Sequence, residues 1–320
     1  MHACLDLGSN SFHLLIGEWE DGRIQIIERL SEKVQLGENV RASGKISPRA
    51  FQRGLNCLQR FKLLMKQYPL EKYWALGTNT LRVASNAEDF IQASRTLGIY
   101  ISPISGAQEG VLIYAGVISA LPESNIHRLI IDIGGGSTEV IVGRGHTRLL
   151  TESLAIGSVA WRDRFFSDDG YTQAELLLQM ESAAVEARAV FAAIAAGVNS
   201  ARWNKAYGSS GTVKLLAAIC QEHGYGKGQI QLQALYDLKH VMAECIATGQ
   251  DLPGLKERRR DLLLAGWSIM VGLMESFQVD KLRFSATALR EGMLDFMVHR
   301  GKTMQALDEN DLPDVSFAKG

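Results

Sequence analysis

The sequence feature that most constrains the fold is a repeated glycine-containing motif. Residues 6–17 read DLGSNSFHLLIG, and residues 132–143 read DIGGGSTEVIVG. Aligned without a gap, the two copies share their aspartate, two glycines and a serine, and the apolar residues that follow also coincide. A second pair comes later in the same order, with GTNTLR from Gly77 and GSSGTVK from Gly208. Two elements repeated in order predict two similar folding units in one chain.

Each copy of the motif predicts a tight turn between two strands. Apolar residues precede Asp6 and Asp132, and another apolar run follows each glycine-containing stretch. Glycine permits positive φ angles and the close approach of a ligand, so the pattern indicates a hairpin. It differs from the dinucleotide-binding GxGxxG fingerprint, which must open a helix. A third strand is predicted in each unit, over 24–32 and 146–153.

Beyond each set of three strands, the patterning alternates between helices and single strands. The predicted helices cover 47–68, 86–97, 108–120, 172–196, 231–248, 255–277 and 287–300, with a further one from residue 212, and the predicted strands cover 73–77, 205–207 and 282–284. This order predicts mixed sheets with helices on their faces. We expect a first domain over 1–122, a second over 123–302 and a C-terminal tail over 303–320. The first boundary is placed at a polar, proline-containing segment around Pro122.

Composition limits the classes of partner. The chain carries 34 basic and 35 acidic side chains, a net charge of -1, which excludes a polybasic protein that binds through bulk charge. We therefore expect no nucleic acid as a specific partner, although a few placed cations can still bind phosphate. No apolar run reaches the roughly 18 residues of a membrane span, and the first residues show no signal-peptide pattern. Four dispersed cysteines predict buried free thiols, so we expect a cytoplasmic protein with no membrane association.

The two predicted turns are candidate phosphate-binding loops. Small residues leave backbone N–H groups exposed, and these can converge on an oxygen anion. An ordinary hairpin turn is the alternative for one copy alone, but the duplication favours binding. Two such turns, facing each other across an interdomain cleft, would hold a phosphate chain from both sides. The residues are Ser9, Asn10 and Ser11 in the first turn and Gly134, Gly135, Gly136 and Ser137 in the second.

Three carboxylates lie next to these turns, at Asp6, Asp132 and Glu139. Phosphoryl transfer commonly uses Mg²⁺, which proteins hold through one or two carboxylates and water. The three carboxylates therefore predict a metal site. An aspartate at the end of a buried strand can instead accept hydrogen bonds from turn amides, and both interpretations remain open for Asp6.

Six segments carry a resemblance to a known family. DLGSNSFHLLI, GTNTLR, SGxxE, DIGGGSTE, GSSGT and ALREG occur in that order. Together they resemble the exopolyphosphatase and guanosine pentaphosphate phosphatase (Ppx/GppA) family, in the superfamily of actin-like ATPases, Hsp70 and sugar kinases. The resemblance runs from residue 3 to about residue 300 and is to the short, two-domain form. It implies an α/β fold of duplicated ribonuclease H-like domains, with mixed sheets flanked by helices and an interdomain cleft.

The resemblance also implies an oligomeric state, since a homodimer is the family expectation. The apolar helix predicted over 262–277 could contribute to the dimer interface, and burial in the core explains its composition equally well.

Site residues are implied by the same resemblance. Glu109, in the segment over 105–109, corresponds to the family's catalytic base, although a carboxylate at a helix start also suits the helix dipole. Asn10, Ser137 and the loop over 134–136 correspond to phosphate contacts. Asp132 and Glu139 correspond to ligands of Mg²⁺ or of another divalent cation such as Mn²⁺. Further candidates for contacting phosphate are Arg82, Gly211, Thr212 and Lys214, and the arginine and the lysine can equally be surface charges.

Two positions depart from the family pattern. Gln108 stands where the family has an acidic residue, and Ala286 stands where members often have aspartate. Both departures weaken the inference of a metal or substrate contact at those positions. The three arginines over 258–260 are predicted on a helix, either as a solvated face or as a path for a polyanion.

The leading hypothesis is a Mg²⁺-dependent phosphohydrolase. It would release the terminal phosphate of inorganic polyphosphate or guanosine pentaphosphate through attack by a water molecule that Glu109 activates. One alternative is an ATP-dependent kinase or ATPase of the same superfamily, with 208–212 as its nucleotide loop. The other is a non-catalytic sensor that binds polyphosphate or the alarmone.

Overall fold

A computed structural model describes residues 1–20, 23–122, 124–167, 170–299, 312 and 316–317 of the chain. These residues form two compact units. The first unit combines the described residues up to 122 with those from Thr287 onward, and the second unit runs from Ser124 to Ala286. The first boundary therefore lies next to the predicted one.

The second predicted boundary, at residue 302, is wrong. The last helix, over 289–299, packs against the helix over 106–119 and against the first sheet, so it belongs to the first unit. The predicted tail over 303–320 lies outside the described residues except for 312, 316 and 317. The last two of these form a short strand.

The first unit is one mixed sheet with helices. Its strands are β1 (His2–Leu7), β2 (Ser11–Glu20), β3 (Arg23–Lys33), β4 (Lys72–Gly77), β5 (Ile101–Pro103) and β12 (Ser316–Phe317). Its helices are α1 (Val40–Ser43), α2 (Pro48–Met65), α3 (Asn79–Val83), α4 (Ala87–Thr96), α5 (Gly106–Ser119) and α12 (Leu289–His299). The strand order is β12-β4-β1-β2-β3, and β5 also pairs with β4. The hairpin β1–β2 is antiparallel, whereas β4 runs parallel to both β1 and β5.

The second unit repeats this plan with additions. Its strands are β6 (His127–Ile133), β7 (Thr138–Arg144), β8 (Thr147–Leu154), β9 (Lys205–Ser209), β10 (Gln229–Gln231) and β11 (Lys281–Phe284). Its helices are α6 (Ser158–Phe165), α7 (Gln173–Ser200), α8 (Ser210–Glu222), α9 (Leu232–Asp237), α10 (Lys239–Thr248) and α11 (Leu263–Ser276), with a 3-10 helix over Glu257–Leu262. The strand order is β10-β11-β9-β6-β7-β8.

The sequence repeat is a structural repeat. The order β5-β4-β1-β2-β3 matches β11-β9-β6-β7-β8, with the same parallel and antiparallel pairs. Even an irregularity recurs, because the register of β2 against β3 shifts at Gly17 and that of β7 against β8 shifts at Gly143. These two glycines coincide in the sequence alignment. The predicted duplication and the three strands that open each unit are therefore confirmed.

Two predicted helices are interrupted in the structure. The helix expected over 231–248 divides into α9 and α10 at Leu238, and the one expected over 255–277 begins as the 3-10 helix that contains Arg258–Arg260. Apolar residues keep a helical spacing through the first break, and neither break contains a proline or a glycine, so the local pattern did not reveal them. The sequence reading also missed α1, α3 and α6, which are each eight residues or shorter.

The hydrophobic helix α11 is part of the second unit's core. Twelve consecutive residues of this helix, Leu263–Met274, are buried, and Trp267 donates a hydrogen bond to the Leu235 carbonyl. Core burial, not a dimer interface, therefore explains its composition. The four cysteines are free and buried as predicted. Among the described residues, no helix combines the length and apolar character required to cross a membrane.

Candidate active site

The first turn, between β1 and β2, holds its carbonyl groups away from solvent. The Gly8 amide donates to the Ser11 carbonyl at 3.2 Å and closes the hairpin. The Asn10 carbonyl accepts from the amides of Val34 and Gln35, at 3.1 and 2.8 Å. Among the described residues, none accepts a hydrogen bond from the amides of Ser9 or Asn10. The turn therefore leaves consecutive N–H groups available to an anion.

A segment after β3, which the sequence reading did not single out, supports this turn. The Gly37 amide donates to the Ser9 carbonyl at 2.9 Å. A Cβ atom at Gly37 would lie 2.6 Å from Thr80 Oγ1 and 2.7 Å from Ser9 Cβ. Thr80 Oγ1 in turn donates to Ser9 Oγ at 2.8 Å. Ser9 is therefore buried and structural through its side chain, and only its backbone amide remains available to a ligand.

Arg82 and Glu109 meet within the first unit. Arg82, on the short helix α3, places Nη1 2.7 Å from Glu109 Oε2 and 3.0 Å from the Ile104 carbonyl. Glu109 lies in the first turn of α5 and is only 8% exposed. Burial raises the pKa of the Glu109 carboxyl, and the Arg82 guanidinium opposes this shift. A carboxylate of raised pKa next to a cation has the character of a general base for work near neutral pH.

Gln108 has a structural task beside this pair. Its side chain accepts a hydrogen bond from the Ser105 amide at 2.7 Å, and its own amide donates to Ser105 Oγ at 3.1 Å. These two bonds form a capping box at the start of α5, in which glutamate and glutamine are equivalent. Replacing an acidic residue with Gln108 therefore preserves the helix start that positions Glu109.

The second turn, between β6 and β7, repeats the arrangement of the first. The Gly134 amide donates to the Ser137 carbonyl at 2.9 Å. The Gly135 carbonyl accepts from the amides of Val159 and Ala160, at the start of α6. Among the described residues, none accepts from the amides of Gly135 or Gly136.

Gly157 makes this packing possible, because it precedes α6 and lies directly against the loop. A Cβ atom there would lie 2.4 Å from the Gly136 nitrogen. The start of α6 thus plays in the second unit the part that the segment after β3 plays in the first.

The candidate metal ligands occupy different settings. Asp132 and Glu139 are directly opposed across β6 and β7, so their side chains lie on the same face of the sheet. Ser209 Oγ donates to Asp132 Oδ2 at 2.5 Å, and Ser153 Oγ donates to Glu139 Oε1 at 2.8 Å. Asp6 lies in the first unit, near its own turn. The described residues contain no group of three or more His, Cys, Asp or Glu side chains that could enclose a metal ion.

Arg259 is a cation that the sequence reading left among three surface arginines. Its guanidinium rests on Gly211, where an added Cβ atom would lie 2.1 Å from Nη2. Burial, and then the neighbouring Arg258, lower the pKa of the Arg259 guanidinium. Its backbone amide donates to the Lys256 carbonyl at 2.8 Å, and within the described parts of the chain its guanidinium forms no hydrogen bond or ion pair. A half-buried cation at the start of α8, where the helix dipole is also positive, favours an anionic ligand.

The two other predicted phosphate-contact residues at the start of α8, Thr212 and Lys214, differ in solvent exposure. Thr212 is buried, its amide bonds to Ser210 Oγ at 3.2 Å, and its methyl group faces Gly266. Its side chain therefore packs in the interior, and its amide is bonded to Ser210. Lys214 is exposed on the first turns of α8.

In the turn between β1 and β2, the Ser11 side chain is buried and accepts a hydrogen bond from Asn10 Nδ2 at 3.2 Å.

Comparison with known proteins gives a consistent result. The chain matches the Ppx/GppA phosphatase family over residues 15–301. The crystal structure of an exopolyphosphatase from Cytophaga hutchinsonii is similar, with 25% identity and a TM-score of 0.82, over 94% of this chain and 99% of that one. The Aquifex aeolicus member of the Ppx/GppA family is 26% identical, with a TM-score of 0.72, over 94% of this chain and 98% of that one. These matches confirm the predicted fold of two actin-like, ribonuclease H-like domains.

Proposed function

The chain belongs to the Ppx/GppA phosphatase family, and from that premise we propose that it releases the terminal phosphate from a linear chain of phosphates. The substrate is inorganic polyphosphate or the 5′-triphosphate of guanosine pentaphosphate. Both present consecutive phosphate oxygens that backbone N–H groups and a few cations can hold.

The observation that carries the proposal is the pair of turns. In each unit, the carbonyl groups of the turn are bonded to a following segment, while two consecutive amides have no acceptor among the described residues. Such amides form a concave site for an oxyanion that needs no net positive charge. This fits a protein whose formal charge is only -1.

Glu109 is proposed as the base that orients and deprotonates the attacking water. Its burial raises its pKa, which brings proton transfer closer to the working pH. Arg82, 2.7 Å away, keeps the carboxylate ionised and is a cation for the charge that develops on the phosphoryl oxygens. The bond between the terminal phosphorus and its bridging oxygen breaks as the water oxygen attacks in line, and the shortened chain leaves as an anion.

A divalent cation is the proposed cofactor, Mg²⁺ or a similar ion such as Mn²⁺. Mg²⁺ needs only one or two carboxylates because it keeps several waters and takes further ligands from substrate phosphates. Asp132 and Glu139, on one sheet face, fit this requirement in the second unit, and Asp6 is the corresponding aspartate of the first. The metal would neutralise charge on the phosphate oxygens, and the carboxylates of Asp132 and Glu139 would hold the metal.

The test compares Glu109→Gln with a matched variant. Glu88→Gln makes the same change at an exposed glutamate in the first turn of α4. Phosphate release is measured on long polyphosphate, short polyphosphate, guanosine pentaphosphate and ATP, with Mg²⁺ or Mn²⁺. We expect Glu109→Gln to lower kcat by about 10²–10⁴-fold while polyphosphate binding is retained, and Glu88→Gln to behave as the wild type.

Three results would contradict the proposal. Near-normal turnover by Glu109→Gln would remove that residue from the chemistry. ATP-dependent phosphorylation of a second substrate, without release from polyphosphate, would establish a kinase. Tight binding of polyphosphate or the alarmone with no phosphate release under either metal would establish a sensor.

A further inference from the structure

Helix α12 returns to the first unit and packs closely on α5, the helix that carries Glu109. A Cβ atom added at Gly116 would lie 1.8 Å from the Ala288 carbonyl oxygen. One added at Gly292 would lie 1.9 Å from the Leu112 carbonyl oxygen. Both obstacles are backbone atoms, so neither can move aside as a flexible side chain would. The two glycines therefore set the separation of the two helices.

This contact lies on the face of α5 that carries Glu109. Leu112 and Gly116 follow Glu109 by three and seven residues within the same helix. Residues at these spacings share one face, so the contact begins one turn from the carboxylate.

Glu291 fixes the start of α12. It is 2% exposed, and its Oε2 accepts a hydrogen bond from the Ala288 amide at 2.9 Å. Its Oε1 lies 3.1 Å from Nη2 of Arg29, on β3. The same side chain therefore caps the helix and ties it to the sheet. Because Glu291 holds the start of α12 in place, it also holds Gly292, the next residue, in its position against α5.

We infer that Gly116, Glu291 and Gly292 are positioning residues that hold the Glu109 carboxylate against Arg82. The inference rests on the proposed function of Glu109. In the ALREG segment over 288–292, Gly292 contacts the backbone of α5 and Glu291 holds the start of α12. The task of these two residues is therefore to position α5 and is distinct from substrate contact. A displacement of about 1 Å at a catalytic group can lower the rate by about 100-fold, so such control affects turnover directly.

The first experiment compares Gly292→Ala with Gly197→Ala. At Gly197, in α7, an added Cβ atom meets only the Leu150 Cδ1 atom, at 3.3 Å. We expect Gly292→Ala to lower kcat by about 10- to 100-fold with KM changed by roughly twofold or less. The acid limb of its pH–rate profile moves to higher pH, because Glu109 loses part of its contact with Arg82. Gly197→Ala keeps wild-type kinetics.

A second pair of variants separates positioning from folding. Glu291→Gln keeps an oxygen acceptor for the Ala288 amide, whereas Glu291→Ala removes it. We expect the glutamine variant to retain most of the wild-type kcat and the alanine variant to lose about tenfold, at a temperature where both are folded by circular dichroism. A purely structural role would lower Tm in the variants and leave kcat and the pH profile of the folded fraction unchanged. That result overturns the inference.

Amide hydrogen exchange tests the contact between α12 and α5 without a measurement of activity. If the wild type released no phosphate from any substrate, the proposed function would fail, but amide exchange in peptides covering 106–116 would still report the hold of α12 on α5. Faster exchange there in Gly292→Ala, with α7 unchanged, supports the inference. Unchanged exchange together with unchanged kcat overturns it.

Discussion

The two hairpin turns are alike in backbone and different in what surrounds them. Each is closed by a bond from glycine to serine, at 3.2 Å in the first unit and 2.9 Å in the second. Beyond the turn, the first unit places a buried glutamate against Arg82, whereas the second places Arg259 over Gly211. Both halves thus keep two consecutive turn amides that have no acceptor among the described residues. The first unit carries Glu109, the proposed base, and the second carries the Arg259 guanidinium, which forms no ion pair among the described residues.

The largest expected effect comes from removing Arg82, the arginine that pairs with Glu109. Because Arg82 opposes the burial-induced rise in the pKa of Glu109, Arg82→Ala raises that pKa further. The base is then protonated, and activity lost, from a higher pH as the pH falls. We expect kcat/KM to fall by about 10²–10³-fold and the acid limb to move to higher pH. The measurement is phosphate release across about pH 5–8, where proteins tend to be most stable.

Arg95→Ala, at an exposed arginine of α4, is the control for this experiment and keeps the wild-type profile. An acid limb that stayed in place, or moved to lower pH, in Arg82→Ala would show that the ion pair does not govern the base.

Removing the cation of the second unit gives a smaller effect of another kind. Arg259→Ala removes a cation suited to an anionic ligand but leaves Glu109 and Arg82 in place. We expect KM to rise by about 10- to 100-fold, the value of one charge-assisted hydrogen bond, with a much smaller change in kcat. Arg258→Ala, at the exposed neighbour, is the matched control and changes KM by less. Equal effects of the two variants would indicate only a general loss of positive charge.

The smallest effect tests the departure at position 108. Gln108→Glu restores an acidic side chain, and glutamate serves a capping box as well as glutamine does. We therefore expect kcat and KM within roughly twofold of the wild type. A tenfold gain in turnover would show that an acidic group here contacts metal or substrate, which would assign position 108 a chemical task in the first unit.

The sequence predicted those parts of the site that depend on local pattern. The turns at Gly8 and Gly134 follow from glycine between apolar runs, and the helix predicted over 108–120 matches α5, which begins at Gly106, to within two residues. Contacts between distant segments did not follow from it. Nothing in the local pattern places Arg259 on Gly211 or Gly157 against Gly136, because such neighbours are decided by tertiary packing.

The misplaced boundary at residue 302 has a similar cause. The apolar periodicity of α12 is the same whichever unit it packs on, and the sequence over 282–290 has no proline or glycine to mark a crossing. The sequence pattern therefore predicts that the helix belongs to the preceding domain. The close approach of Gly292 to Leu112 is what decides its place.

The return of α12 also sets an order of events during synthesis. The second unit, from Ser124 to Ala286, is continuous in sequence, so all of its described elements have been made before α12 is translated. Synthesis of the first unit begins earlier, but this unit is complete only after α12 has been translated. Domains generally fold as units, so we expect its folding to finish after that point. A nascent chain that ends before residue 289 carries both turns, yet its α5 lacks the helix that holds it. The ribosome therefore finishes the unit that contains Glu109 last, although it begins that unit first.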